Sequence, residues 1–285
     1  MSPSPIPRSD AEPTRGDAHP PAAGADTRID AQAGHHRLVD QQFGPRAAAY
    51  VASAVHAQGE DLTELAALAR SRPGSRILDL GCGGGHVAYH VAEHAGEVVA
   101  YDLSPSMLAA VENEARRRGL ANVRIEQGSC ERLPFDAQAF DLVLCRFSAH
   151  HWQDLKAGLR EARRVLRPDG QAVFIDIVAP ESAIADSWLQ TFELLRDPSH
   201  GRDYRVSEWQ ATARECGFEP GTPTFRRLRM AFASWVERMW TPAEHVAAIR
   251  ALQRLAPAAV REHFGIEDDG SFTIDSMSLP MRRAA

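Results

Sequence analysis

The segment 76–85 contains the residues best suited to binding a ligand. After a short apolar run, an acid and then three glycines occupy every second position. Asp79, Gly81, Gly83 and Gly85 stand two positions apart. Glycines let the backbone approach a ligand closely, and an acid just before them would favour a cationic group on that ligand. This pattern predicts a buried strand, a glycine-rich turn and a helix that together bind a small molecule.

The nearest competing motif is the dinucleotide fingerprint G-x-G-x-x-G, whose third glycine lets the helix pack against the strand. Gly81 and Gly83 match its first two glycines, but His86 stands at the third position. The carboxylate of Asp79 would also repel a pyrophosphate. Asp102 ends the second predicted strand and could bind ribose hydroxyls, a feature shared with NAD proteins. The turn therefore favours a ligand with an ammonium and a sulfonium over NAD.

Strands and helices alternate from this turn onwards, and seven runs predict strands: 77–80, 98–103, 123–125, 140–145, 172–178, 225–232 and 272–279. The alternation is typical of an α/β fold with a Rossmann-like, doubly wound, mostly parallel seven-stranded sheet. Ligands of such sheets bind beyond the carboxyl ends of the strands. Helices predicted between the last two strands form an inserted lid, which we expect to cover the ligand.

The composition of the chain predicts a tail followed by one domain. Residues 1–34 are rich in proline and have little to bury, so we expect a disordered tail. The rest forms one domain, which divides into N-terminal helices (35–75), a cofactor-binding core (76–180), a substrate-side loop, helix and strand (181–233), a helical lid (234–264), and the last strand with the C-terminus (265–285).

Charge and cysteine content exclude several classes of protein. A formal charge of −6 and a pI near 6.1 give no basic footprint for nucleic acid. The four cysteines lie far apart and show neither disulfide nor metal-site spacing. No apolar run approaches the ~20 residues needed to cross a bilayer, and the N-terminus lacks signal-peptide features. We expect a cytoplasmic monomer or homodimer without a metal, membrane or nucleic-acid partner.

Together these residues resemble the class I S-adenosylmethionine-dependent methyltransferases. The resemblance is strongest to the bacterial methyltransferase type 11 branch, which includes the ubiquinone and menaquinone C-methyltransferases. It rests on the glycine turn, on Asp102, on the helix that Ser104 and Pro105 open, and on residues 128–135 (Gly-Ser-Cys-Glu-Arg-Leu-Pro-Phe). It covers residues 42–178 well and the C-terminal third in outline.

The resemblance implies that S-adenosylmethionine is the cofactor. Asp79 would then lie near its ammonium, Asp102 at its ribose and Met107 against its adenine. Ser129 replaces an acid that accepts from the adenine amino group in the family, so we expect weaker adenine recognition. The full set of implied cofactor-binding residues is Tyr50, Asp79, Gly81, Cys82, Gly83, Asp102, Leu103, Met107, Ser129, Cys130, Glu131 and Arg146.

His150 and His151 follow the fourth predicted strand, where the family places residues that face the transferred methyl group. Methyl transfer is an in-line displacement, so a general base is needed only if the acceptor must lose a proton. Histidine suits that role near neutral pH, although either ring could instead cap a helix or fill space. A polar cluster of His200, Arg202 and Tyr204 could contact substrate or form a solvated loop.

We therefore expect an S-adenosylmethionine-dependent methyltransferase that acts on an oxygen, nitrogen or carbon atom of a small organic acceptor. One alternative is a protein that binds S-adenosylmethionine or another nucleotide without catalysis, which the departures at Ser129 and Cys130 keep open. An NAD-dependent oxidoreductase is the less favoured alternative, because of Asp79 and His86.

Overall fold

The computed structural model describes residues 26–47 and 59–284, together with residues 1 and 51. Within them, eight strands form one sheet. They are β1 (Arg76–Leu80), β2 (Glu97–Asp102), β3 (Val123–Gln127), β4 (Phe140–Arg146), β5 (Leu166–Val178), β6 (Phe218–Pro220), β7 (Thr224–Met230) and β8 (Phe272–Arg283).

The sheet has the order β3-β2-β1-β4-β5-β8-β6, with β7 also beside β8. Strands β1 to β5 are mutually parallel, and β8 runs antiparallel to β5, β6 and β7. The predicted doubly wound, mostly parallel sheet is confirmed, with one strand more than the seven expected. The additional strand is β6, which is only three residues long and ends in proline, so it gives no alternating pattern to detect.

The helices of the described residues are α1 (Asp26–Phe43), α2 (Glu60–Arg70), α3 (His86–Ala92), α4 (Pro105–Arg117), α5 (Leu155–Val165), α6 (Ala183–Arg196), α7 (Val206–Glu215), α8 (Phe232–Arg238), α9 (Ala243–Leu255) and α10 (Ala258–Phe264). Short 3-10 turns occupy Gly44–Arg46 and Ala149–His151. The inserted helices predicted between the last two strands are α8, α9 and α10.

Alternate residues of β1 face two different cores, as the pleat of a strand requires. Ile77 packs with residues of α2, α3 and α4, whereas Leu78 and Leu80 pack with residues of α5 and α7. All three side chains are fully buried, and each contributes about 1.5–3 kcal/mol by leaving water. The sheet is thus covered on both faces, which leaves the ends of its strands to bind ligands.

A third core joins the inserted helices to the beginning of β8. Phe192 of α6 and Trp235 of α8 pack against Phe272 of β8, with ring centroids 6.0 and 4.9 Å away. Ile249 and Phe264 complete this core from α9 and α10. The inserted helices are therefore packed against the rest of the fold.

Helix α1 begins at Asp26, inside the segment expected to be a disordered tail. The prolines of that segment all precede residue 22, and the next is Pro45, so none interrupts the helix. Ser104 Oγ donates to Asp40 (2.6 Å), and Arg46 Nη2 donates to Met239 O (2.7 Å). These bonds tie the N-terminal segment to α4 on one side and to the end of α8 on the other. Residues 2–25 of the predicted tail lie outside the described residues.

Gly81 lies at a position where both the backbone and its surroundings favour glycine. Its φ is +73°, and a Cβ there would clash with the side chain of Ser148. Gly74 has nearly the same φ, +74°, but a Cβ there would meet nothing within 4 Å. An alanine at Gly81 would suffer both backbone strain and steric overlap, whereas an alanine at Gly74 would suffer backbone strain alone. Comparing the two variants therefore distinguishes the two effects.

We expect Gly81→Ala to lower the free energy of unfolding by about 3 kcal/mol, because overpacking adds to the cost of a left-handed backbone. Gly74→Ala should cost only about 1 kcal/mol, from the backbone alone. Urea denaturation of both variants measures the difference. Equal losses would show that the clash with Ser148 is relieved at no cost.

Candidate active site

A cavity of about 820 Å³ opens beyond the carboxyl ends of β1, β2, β4 and β5. Thirteen of the fourteen site residues predicted from the sequence line it: Asp79, Gly81, Cys82, Gly83, Asp102, Leu103, Met107, Ser129, Cys130, Glu131, Arg146, His150 and His151. The remaining one, Tyr50, lies outside the described residues. The sheet therefore brings residues far apart in sequence to one cavity.

The carboxylate of Asp102 organises the glycine turn. Its Oδ2 accepts from the N–H of Gly83 (2.8 Å), and its Oδ1 accepts from the N–H of Ser104 (2.9 Å). Gly83 has a φ of +47°, and a Cβ there would meet no protein atom within 4 Å. The backbone at Gly83 thus faces open space in the cavity, as a turn that cradles a ligand requires.

Asp79 is a buried carboxyl group with only 1 % of its surface exposed. Its Oδ2 accepts from the N–H of Ala88 in the first turn of α3 (3.0 Å). Burial raises the pKa of Asp79 to about 7, with a smaller contribution from Asp102, while the Ala88 bond and Arg146 oppose the shift. A cationic ligand group beside Asp79 would favour its ionised form. The site therefore suits a cationic group of a ligand.

Met107 of α4 and the segment that follows β3 line another part of the cavity. Met107 is 2 % exposed, and its N–H donates to the Ser104 hydroxyl that caps the helix (3.4 Å). The Ser129 hydroxyl donates to the carboxylate of Glu131 and accepts from the Glu131 N–H (3.2 Å). Glu131 thus places a carboxylate beside the position where Ser129 replaces the acid of the family.

Arg146 forms a buried ion pair with Asp61 of α2, with exposed side-chain fractions of 8 % and 6 %. Its guanidinium also lies 4.6 Å from the ring centroid of Phe147. Phe147 has a φ of +51°, which is uncommon for a residue with a side chain. The pair joins α2 to the end of β4, and both of its residues line the cavity.

His150 forms a pair with a buried carboxylate that was not predicted from the sequence. Its Nδ1 donates to Oδ1 of Asp176 (2.6 Å), and its backbone N–H donates to Oδ2 (3.2 Å). Burial alone would lower the pKa of His150, but Asp176, with Asp203 and Glu193, outweighs it and raises the pKa to about 9. The signal for Asp176 was an acid inside the apolar run 172–178.

His151 has the opposite electrostatic character. Its Nδ1 donates to the carbonyl of Ser199 (3.0 Å). Since a carbonyl only accepts, Nε2 carries the lone pair of the neutral ring. Burial and the charge of His150 lower the pKa of His151 to about 4. At neutral pH the site therefore holds a charged His150 beside a neutral His151, with ring centroids 4.3 Å apart.

The described part of the chain shows neither a metal site nor a membrane-spanning helix. No group of three or more His, Cys, Asp and Glu residues there is arranged to hold a metal ion. None of the helices in that part is both long and apolar enough to cross a membrane. Cys82, Cys130, Cys145 and Cys216 are buried free thiols.

The sequence matches the family model described as "Methyltransferase domain" over residues 78–174. It is 42% identical over 201 residues to the uncharacterized protein YafE of Escherichia coli, covering 70% of this chain and 97% of that protein. It is 36% identical over 204 residues to the uncharacterized methyltransferase YcgJ of Bacillus subtilis, covering 71% and 80%.

Solved structures give the same relationship. The crystal structure of YcgJ from Bacillus subtilis matches with a TM-score of 0.77 and 31% identity, covering 79% of this chain and 99% of that one. A putative methyltransferase from Bacillus halodurans matches with a TM-score of 0.76 and 31% identity, covering 80% and 100%. The resemblance therefore extends over nearly the whole of both solved chains.

The burial of Asp79 makes the stability of the ligand-free protein depend on pH. Folding raises the pKa of this group from 3.8 to about 7, so the stability it contributes is present below pH 3.8 and is lost as pH rises through 7. When the pH is raised from about 4 to about 8, we expect the free energy of unfolding of wild type to fall by roughly 2–4 kcal/mol relative to that of Asp79→Asn. Chemical denaturation at both pH values measures this.

Asp169→Asn is the matched control, because Asp169 is exposed at the opposite end of the sheet. It should track wild type at both pH values. If Asp79→Asn also tracks wild type, Asp79 ionises as freely in the folded chain as in the unfolded one, and the burial argument fails.

Proposed function

The chain belongs to the methyltransferase family, and on that premise we propose that it transfers a methyl group from S-adenosylmethionine to a small-molecule acceptor. The observation that carries the proposal is one cavity lined both by a glycine turn with two strand-end carboxylates and by His150, whose ring is hydrogen-bonded to Asp176. The first set suits a cationic nucleoside ligand, and the second suits removal of a proton from an acceptor.

The cofactor would be held by the residues of the first set. Asp79 would bind its ammonium, the backbone around Gly83 its methionine part, and Asp102 its ribose hydroxyls. Leu103 and Met107 would pack against the adenine, with Ser129 and Glu131 near its polar edge. When bound, S-adenosylmethionine supplies a methyl group activated by a sulfonium.

His150 is the residue we assign as general base. Its Nδ1 is held by Asp176, so the other ring nitrogen is the one that takes the acceptor's proton. Asp176 then stabilises the imidazolium that forms. His151 is a poorer choice, because burial and the neighbouring His150 hold its pKa near 4. A base matters for an acceptor with an ionisable proton, such as a phenol or an acidic carbon.

A small acceptor is favoured by the size of the cavity, about 820 Å³. Residues of α1, β7 and α8 line the same cavity as the cofactor residues, so cofactor and acceptor share its volume. The formal charge of −6 also disfavours a nucleic-acid substrate.

Binding without methyl transfer is the alternative. The crystal structure of the [4+2]-cyclase SpnF has the same fold at 22% identity and a TM-score of 0.54, so the fold alone does not require this chemistry. The His150–Asp176 pair favours catalysis, because a protein that only binds the cofactor has no need for a base.

We expect Asp102→Ala to weaken binding of S-adenosylhomocysteine at least tenfold, because a charged acceptor of two hydroxyls is lost. Asp102→Asn should fall between this variant and wild type, because it keeps one acceptor oxygen. Isothermal titration calorimetry measures both, with Asp169→Asn as the control of unchanged affinity. Equal affinity in wild type and Asp102→Ala would remove the ribose assignment, and binding of NADH alone would overturn the proposed cofactor.

With an acceptor in hand, the pH dependence of turnover identifies the base. A base must be neutral before it reacts, so kcat should rise with pH and level off near pH 9, where His150 loses its proton. His150→Gln should lower kcat by about 10²–10⁴-fold and abolish the rise of kcat with pH. His151→Gln should keep that rise. A limb near pH 4 that disappears in His151→Gln would assign the base to His151 instead.

A further inference from the structure

The loop between α6 and α7 is fastened directly to the residue we assign as base. The backbone N–H groups of Gly201 and Arg202 both donate to the carbonyl of His150 (2.8 and 3.0 Å). A Cβ at Gly201 would come within 2.9 Å of that oxygen, so only glycine fits here without movement. The loop is therefore hydrogen-bonded and closely packed against the turn that carries His150.

Asp203 lies in this loop, and its backbone is fixed at both ends of the residue. Its N–H donates to Oε1 of Gln190 (3.1 Å), and its carbonyl accepts from Nε2 of Gln190 (2.8 Å). Gln190 also donates to Asp186 (2.9 Å), so the orientation of its amide is settled. Asp203 is 1 % exposed.

The carboxyl group of Asp203 is incompletely paired. Among the described residues, no group forms a hydrogen bond with its Oδ2, and the nearest basic atom is Nε2 of His200 at 3.8 Å. That nitrogen donates to Gln190 instead (3.1 Å). Burial, followed by His150 and His151, lowers the pKa of His200 to about 2, so this ring is neutral. A buried carboxyl group kept without a full set of partners costs stability, which marks it as a functional candidate.

The charged groups that surround His150 come from several elements. Asp176 faces it from β5, Glu193 from α6, and Asp203 and the neutral His200 from the loop. His151 faces it from its own turn. Asp203 itself also faces Arg196 of α6. The acids outnumber the cations around His150, so the field at its ring favours a positive charge.

Asp203 and His150 influence each other's ionisation. Burial raises the pKa of Asp203 well above its usual value, and the positive charge of His150 opposes this shift. Asp203 in turn contributes to the raised pKa of His150. The charged form of each group is therefore favoured by the charged form of the other.

We infer that Asp203 is a positioning residue for the base, a second buried carboxylate that acts on His150 from the loop while Asp176 holds the ring from β5. The inference rests on the proposed role of His150. Two carboxylates make His150 a stronger base than an ordinary histidine, and its proton affinity then approaches that of a phenolate, whose usual pKa is about 10. The acceptor group that such a base suits is about as acidic as a phenol.

The test is an NMR titration of the full chain with isotope-labelled histidines, in which His150→Gln identifies the His150 signal. In Asp203→Asn we expect the pKa of His150 to fall by about one unit or more, because a nearby buried charge is removed. Asp203→Glu should keep the wild-type value. Asp197→Asn is the matched control: Asp197 belongs to the same loop but acts on His151, so His150 should titrate as in wild type.

An unchanged pKa of His150 in a folded Asp203→Asn variant would overturn the inference. Asp203→Ser serves the same comparison if the asparagine variant does not fold, as judged by thermal unfolding. The titration needs no turnover, so it is independent of the proposed function. If the His150 pKa falls in Asp203→Asn but the pH limb of kcat does not move, the electrostatic role of Asp203 stands and His150 is not the base.

Discussion

The cofactor half of the site depends on the two hydrogen bonds that the Asp102 carboxylate accepts. One comes from the glycine turn after β1 and the other from the start of α4, at 2.8 and 2.9 Å. A single side chain thus fixes the turn and the adjoining helix relative to each other. Since Gly83 faces open space there, the same carboxylate that shapes the turn is placed to contact a ligand lying in it.

The site contains buried carboxyl groups, and burial disfavours their ionised form. Burial raises the pKa of Asp79 to about 7, and it also raises the pKa of Asp203 well above its usual value. In the acceptor half this cost is offset by the charge of His150, and in the cofactor half by Arg146 and by any cationic ligand. Charge placed before the ligand arrives need not be rearranged during the reaction, which is how preorganised sites lower barriers.

Much of the sheet and the cofactor half could be predicted from the sequence, because local patterns encode them. The run before Gly81 predicts β1, and Asp102 is visible as an acid that ends a strand. The His150–Asp176 pair could not be predicted, because it joins the turn after β4 to the carboxyl-terminal part of β5 through tertiary packing. The polar loop with His200 was ambiguous between a surface loop and a substrate contact. The loop is buried because Gly201 packs against the backbone of His150, and no local sequence pattern predicts this tertiary contact.

The central claim is that this cavity transfers a methyl group to a small molecule. The most direct measurement incubates the purified protein with methyl-labelled S-adenosylmethionine and, separately, the small-molecule, protein and nucleic-acid fractions of a bacterial extract. The labelled products are then resolved by chromatography and mass spectrometry. The account predicts a labelled low-mass product, formed together with an equal amount of S-adenosylhomocysteine and absent with heat-inactivated protein. Label found only in nucleic acid or protein fractions, or in no product while S-adenosylhomocysteine binds tightly, would contradict it.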